Sequence, residues 1–354
     1  MQMSLLDAEA GMLALDEAPT ARLLLPADAS HEEWEQERRR GIGGSDVAGI
    51  FGLGGKWSSP RHVFEEKHGR SPFRESEPAE IGREIEDFIA HMFTKRAGLR
   101  VSTPPGTLVH MDRPWMRANV DRFVVDGEGR VVAPLECKNR SEYQADEWED
   151  GVPDAPALQT YWYMAVGGWD HGYVAALVGG NKLRWHRLER DEEIIAQLVD
   201  TCGTWYQRHV VEGTPPPADG LEGTTALLAR LWDVDEDAVA GVSVDEALKL
   251  RAEWTKRKQA VKAATDDLRL VENKMRLAAG PNEVVKANGV QVWSCKQNST
   301  FAPKRFEEEM PELAAEYTRL VPAIDTDRLK DERPDIYRKF RARQLRVPAN
   351  AKGL

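Results

Sequence analysis

The sequence predicts an α/β (α+β) fold, with a mixed central sheet flanked by helices and a mostly helical C-terminal extension. Two observations carry this. Ile81, Ile85, Phe88, Ile89, Met92 and Phe93 recur at helical spacing between Glu80 and Ala97, and strand-like runs then alternate with helical ones as far as residue 211. A charged, helical region follows the proline-rich stretch at 213–220.

Residues 1–29 mix small, acidic and Leu-rich stretches with Pro19 and Pro26, which predicts a loosely held arm. Ser30 and Glu33 have capping-box spacing, starting a short helix that bears Trp34 and the run Arg38, Arg39, Arg40. In "GIGGSDVAGIFGLGG", Ser45 or Asp46 stands where it would cap a helix beginning near Val47. Gly98 sits at the expected C-terminal cap of the 80–97 helix. Strands are predicted at 107–111, 117–125 and 131–138, and "DGEG" between the last two marks an antiparallel hairpin. A helix at 155–166, strands at 171–178 and 183–189 and a helix at 191–211 complete the region. The expected organisation is an arm at 1–29, a main domain at 30–217 and an extension at 218–354.

In the extension, Ser243 with Glu246 opens a charged helix running to about Ala278, longer than most globular helices, which predicts an arm or a coiled-coil pair. "VVKANGVQVW" reads as a tight hairpin turning at Asn288-Gly289. "RFEEEMPELAAEY" from Arg305 and "RLKDERPDIYRKF" from Arg328 echo one another at a spacing of 23 residues. A pair of short helices packed together is the simpler account of that echo than a dedicated binding repeat.

The formal net charge of -11 argues against bulk coating of nucleic acid. Charge is uneven, however: residues 1–37 hold nine acids against Arg22, and residues 333–354 hold seven bases against Asp335. Such asymmetry marks either a solvated helical face or a contact with a partner or nucleic acid. Cys137, Cys202 and Cys295 are odd in number and widely spaced, which predicts a reducing cytoplasm rather than a disulfide framework. No signal-peptide pattern and no long apolar run is present, so membrane spanning is not expected.

The chemistry gathers in "APLECKNRSE". On a strand, residues two apart share a face, so Glu136 and Lys138 emerge together. An isolated pair of this kind is usually a surface ion pair. Here Asp121, in the preceding strand-like segment, lies across the hairpin, and Glu86 projects from the 80–97 helix. Converging carboxylates raise one another's pKa unless a cation neutralises them. Oxygen-only ligation suits Mg²⁺, with Mn²⁺ as substitute, and Lys138 beside it could orient or deprotonate water and offset charge on a phosphorane-like transition state.

These residues resemble the PD-(D/E)xK nuclease core, a restriction-endonuclease-like fold, and specifically its lambda-exonuclease/YqaJ-type viral recombinase branch. "GIGGSDVAGIFGL", "GREIEDFIAHMF", "ANVDRFVV", "LECKNRS" and "ALQTYWYMAVGG" match that branch in order, from about Trp34 to Pro217. The resemblance makes 30–217 a YqaJ-type exonuclease domain. It implies Glu86, Asp121, Glu136 and the Cys137 carbonyl as metal ligands and Lys138 as the catalytic lysine. Gln159 and Tyr163 fall in a Q-x-x-x-Y helix motif that lines the active site. Arg38 and Ser45 match positions that hold a terminal 5′ phosphate, with Arg39 and Arg40 as weaker candidates. The family usually has glycine after the aspartate, where this chain has Arg122.

The implied activity is Mg²⁺-dependent 5′→3′ exonuclease digestion of double-stranded DNA ends, leaving 3′ single strands for a single-strand annealing protein in phage-type recombination. A homo-oligomer, a trimeric ring, and a bacterial host with a phage or prophage origin are implied as well. A related branch carries an iron–sulfur cluster on four cysteines, so three cysteines predict none here. A structure-specific endonuclease of the same superfamily and a non-catalytic DNA-end-binding module are the alternatives.

Overall fold

The computed structural model describes residues 18–70, 77–232, 239–296, 301–319 and 323–340. Contacts divide the chain into two compact units, Met1–Asp233 and Val234–Leu354.

In the first unit, β1 (Ala21–Pro26) precedes α1 (His31–Arg39), α2 (Gly44–Ile50), α3 (Pro60–Lys67) and α4 (Glu77–Ala97). There follow β2 (Arg100–Ser102), β3 (Gly106–His110), β4 (Arg117–Ala118), β5 (Arg122–Val125) and β6 (Val131–Arg140). The unit closes with α5 (Asp154–Gly167), β7 (His171–Val178), β8 (Lys182–Glu189), α6 (Glu192–Trp205) and α7 (Glu222–Leu228). A five-stranded sheet has the order β2-β5-β6-β7-β8, and β6 and β7 are its one parallel pair. Parallel neighbours cannot be joined by a tight turn, and α5 supplies the crossover between them. A smaller sheet, β1-β3-β4, is antiparallel throughout.

The main sheet is mixed and flanked by helices, the class the sequence predicts. Leu135, Cys137 and Ala175 pack on Ile89, Ala90 and Phe93 of α4, which explains the apolar stripe of that helix. The hairpin between β5 and β6 turns at Asp126–Gly129: Asp126 N–H donates to the Arg130 carbonyl at 2.9 Å, and Gly129 sits at φ +89°. Ser30 and Glu33 form the capping box, with Glu33 N–H donating to Ser30 Oγ at 3.2 Å.

Four expectations change. The described part of the arm, from residue 18, contains β1, whose Ala21 is buried and pairs with His110, because alternate apolar residues at 21–25 give it a face to bury. Residues 1–17 lie outside the described residues. The strand expected at 117–125 is two strands in two sheets, broken at Asn119–Asp121 where the chain passes from one sheet to the other. The helix expected near Val47 begins at Gly44, with Gly43 as its cap, so Ser45 and Asp46 lie inside the first turn. Finally, α7 packs back onto the first unit, where Thr224 Oγ1 donates to the buried Ser59 Oγ at 2.7 Å, so this unit continues past the 213–220 stretch.

The second unit contains α8 (Val244–Ala279), the hairpin β9 (Val284–Ala287) and β10 (Val290–Ser294), and four short helices. Asn288 and Gly289 hold φ values of 49° and 82°, as a two-residue turn requires. The echoed segments each fold as two helices rather than one: α9 (Pro303–Glu309) with α10 (Pro311–Glu316), and α11 (Thr326–Glu332) with α12 (Pro334–Lys339). Each break falls on the residue before proline, where the ring disfavours helical backbone. Met310 and Arg333 adopt nearly the same conformation, φ −139° and ψ 62° against φ −137° and ψ 64°. The ion pairs Arg305–Glu309 and Arg328–Glu332 repeat as well, at 2.7 and 2.8 Å. Residues 341–354 of the basic C-terminal run lie outside the described residues.

Candidate active site

Alternation along β6 decides what faces what. Leu135 and Cys137 enter the core against α4, so Glu136 and Lys138 point to the opposite face, toward α5. Glu136 is almost fully buried at 1% exposure, and Lys138 donates to its Oε1. The second oxygen, Glu136 Oε2, is buried with no hydrogen-bond partner among the described residues.

Asp121 sits at the break between β4 and β5, where loss of strand pairing frees it to turn toward β6. Its Oδ2 accepts the Cys137 N–H at 2.7 Å, just beyond the last β5–β6 pair, Arg122 with Leu135. Asp121 and Glu86, from the N-terminal half of α4, line one open groove together with His31, Trp34, Asn119 and Arg122. Arg122 reaches from β5 to Asp87 and to the Asp121 carbonyl, which brings a positive charge beside Glu86.

The electrostatics report crowding of like charge. Burial, then the charge of Glu136, pushes the Asp121 carboxyl well above its usual range, and the same two causes in the same order raise Glu86. Burial alone would push Lys138 down, but Glu136 and Asp121 outweigh it and hold the ammonium above its ordinary value.

Residues Gln159 and Tyr163 join this cluster from α5. Lys138 Nζ donates to Gln159 Oε1 at 3.2 Å, Gln159 Nε2 donates to Tyr163 Oη at 2.7 Å, and Tyr163 Oη donates to the Asn119 carbonyl at 2.6 Å. The chain of bonds ties the lysine to the segment that carries Asp121. Gly44 makes room for it: a Cβ there would lie 2.7 Å from Tyr163 Cε1 and 2.9 Å from Gln159 Cγ. Neither Gly44 nor Asn119 stood out in the sequence, since one acts through an absent side chain and the other through its backbone.

A second charged cluster surrounds Arg38. Its Nη1 donates to the exposed Ser45 Oγ at 3.2 Å and its Nη2 pairs with Asp46 at 3.1 Å. Asp46 Oδ2 accepts from Lys67 at 2.5 Å and from Gly43 N–H at 2.8 Å, so that N-terminal amide of α2 is already satisfied from within. Burial would raise the Asp46 carboxyl, but Lys67 and Arg38 together hold it below its ordinary value. Arg39 and Arg40 do not join this cluster; they pair along α1 with Glu35 at 3.2 Å and Glu37 at 2.7 Å. The pairing of Asp46 with Lys67 escaped the sequence reading because nothing local links positions 21 residues apart.

Among the described residues, no three carboxylate, imidazole or thiol groups stand in a ready-made metal cage. Glu136 is instead turned onto Lys138, the nearest cation. The residues nonetheless suit a hard divalent ion: the donors are oxygens, the unpartnered Glu136 Oε2 is buried, and Asp121 carries a charge that burial disfavours. No helix among the described residues is long and apolar enough to cross a membrane.

The YqaJ-like viral recombinase domain matches residues 33–170, a span that contains every element of both clusters. The YqaJ protein of Bacillus subtilis (strain 168) is 30% identical over 322 residues, covering 89% of this chain and 92% of its own. Among solved structures, the alkaline exonuclease LHK-Exo of Laribacter hongkongensis is 17% identical with a TM-score of 0.42, covering 51% of this chain and 93% of its own. A phage-related exonuclease of Haemophilus somnus 129PT is 13% identical with a TM-score of 0.35, over 49% of this chain and 96% of its own. With a relative matched at this identity along nearly its whole length, the chain belongs to the YqaJ-like viral recombinase family.

Proposed function

We propose that this protein is a divalent-metal-dependent exonuclease that digests double-stranded DNA from its ends in the 5′→3′ direction by phosphodiester hydrolysis. The observation that carries the reading is the buried, half-unpartnered Glu136 carboxylate between Lys138 and Asp121 in a member of this family. Glu86, Asp121, Glu136 and the Cys137 carbonyl would hold the ion. When bound, Mg²⁺ or Mn²⁺ supplies Lewis-acid polarisation of the scissile phosphate and lowers the pKa of a water.

The chain's own residues do the rest. Lys138, held as an ammonium, donates to the negative charge that develops on the phosphoryl oxygens. Gln159 and Tyr163 fix its direction, and Asp121 is oriented by the Cys137 N–H. Arg38 and Ser45 offer a guanidinium and a hydroxyl to the terminal 5′ phosphate, for which the phosphate must share Arg38 with Asp46. The product, a 3′ single strand, suits an annealing protein in phage-type recombination, and a closed homo-oligomeric ring, a trimer by resemblance, would keep the enzyme on its duplex.

The test is a time course on linear duplex with 5′ phosphate or 5′ hydroxyl, with Mg²⁺ or EDTA, beside covalently closed circular DNA. Mg²⁺-dependent release of nucleotides from 5′-phosphorylated ends and no attack on the circle are expected, and Lys138→Ala abolishes the release. Cleavage of the circle would make the enzyme an endonuclease. Retained digestion by Lys138→Ala would overturn the chemistry.

A further inference from the structure

Helix α8 is the longest element among the described residues, and of its 36 residues Ala279 alone is buried. Ala247, Trp254, Val261, Leu268 and Met275 recur at every seventh position. Three residues after each stand Leu250, Arg257, Ala264, Val271 and Ala278, four of them apolar. Alternating steps of three and four residues are the seam of a left-handed coiled coil. The seam faces water, with Leu250, Val261, Leu268 and Val271 exposed by 57, 65, 60 and 51%.

Charges beside the seam select the partner. Against a parallel copy, Glu246 meets Arg251 and Glu253 meets Lys258, but Asp267 meets Glu272 and repels it. Against an antiparallel copy with Val261 opposite Ala264, Arg251 meets Glu272 and Glu253 meets Lys274, each twice by symmetry, and no like charges face one another. Sizes agree with the same alignment: Trp254 stands against Val271, Leu250 against Met275, and Leu268 against the aliphatic stem of Arg257. Within the helix, Glu272 pairs with Arg276 at 3.1 Å and Glu253 with Arg257 at 3.9 Å. Exposed pairs at this spacing contribute a few tenths of a kcal/mol and do not prevent a second copy from competing.

We propose that α8 is a dimerisation arm, pairing antiparallel with α8 of a second copy of this chain about a two-fold axis between Val261 and Ala264. The contact is isologous, each surface meeting itself, and stands independently of the nuclease reading.

The test uses the full chain carrying Cys295→Ser, since Cys137 and Cys202 are buried. Leu250→Cys and Met275→Cys proteins are oxidised separately and as a mixture allowed to exchange subunits. The mixture alone is expected to form the disulfide-linked dimer, because in the antiparallel pair like positions lie roughly 37 Å apart at the helical rise. Cross-linking of either protein by itself would show a parallel pair and overturn the proposal. Light scattering gives a second reading: Val261→Glu with Leu268→Glu halves the mass while the far-ultraviolet helical signal persists. Arg251→Glu weakens the assembly, and adding Glu272→Arg restores it. An unchanged mass in the double-glutamate protein, with no disulfide in any sample, also overturns it.

Discussion

Two charged clusters share the first unit and resolve their charges in opposite ways. Around Asp46, two cations face a carboxylate whose own folded value is depressed, and Glu66 beside them is raised, by burial first. Around Glu136, three carboxylates face Lys138, with Arg122 beside Glu86, and two of the three are still pushed up. A cluster that satisfies itself is scaffolding, with Arg38 left at its rim. One that leaves a surplus of negative charge carries an electrostatic strain that a bound cation would relieve.

The contrast predicts opposite outcomes for the same chemical change. Asp46→Asn leaves Lys67 buried without its counter-charge and is expected to destabilise the fold by ~3–5 kcal/mol, measured by urea denaturation. If stability is unchanged, the Asp46 cluster is not structural. Asp121→Asn keeps an acceptor for the Cys137 N–H and removes a disfavoured charge. Its digestion rate is expected to fall roughly 10²–10³-fold, while its melting temperature at pH 8 does not drop.

Divalent ions sharpen the comparison. Because Asp121 and Glu86 have raised folded values, the stability they contribute is present below the ordinary carboxylate range and lost as pH rises through those raised values. Protons and metal compete for the same oxygens, so stabilisation by saturating Mg²⁺, about 2.7 kcal/mol at a hundredfold excess over Kd, is expected to be larger at pH 8 than at pH 5. A melting series with Mg²⁺ and EDTA at both values checks this, and equal shifts would place the ion elsewhere. Asp46, whose folded value is depressed, behaves in the opposite sense: its stabilisation is present above its ordinary value and is lost as pH falls through the depressed one.

The smallest effects separate neighbours in one run of arginines. Arg38→Lys removes the fork that spans Ser45 and Asp46, and is expected to reduce the preference for 5′-phosphorylated ends by about 1.5 kcal/mol, roughly tenfold. Arg39→Ala and Arg40→Ala remove ion pairs with Glu35 and Glu37 and should change that preference by under about 0.5 kcal/mol. Three equal losses would mean that the run acts only as a positive surface.

Local rules were legible wherever the physics is local. The stripe on α4, the DGEG and Asn288-Gly289 turns and the Ser30 cap each depend on residues a few positions apart, and the structure contains all of them. Alternation on β6 likewise put Glu136 and Lys138 on one face before any packing was known. The strand at 117–125 misled because the alternation of Ala118 and Val120 with Asn119 and Asp121 continues the strand pattern through the break, while the division between sheets depends on partners elsewhere in the chain.

The sequence by itself determined the types and order of the main elements from α4 to α6, the carboxylates and the lysine, and the seven-residue seam of α8, because spacing along a chain dictates which side chains share a face. Only the tertiary structure decided which of them meet. It turned Asp121 onto the Cys137 N–H at the strand break, drew Lys138 through Gln159 and Tyr163 to the Asn119 carbonyl, and paired Arg39 and Arg40 with Glu35 and Glu37. Burial and long-range pairing set charge and direction, and neither is encoded within a few neighbouring residues.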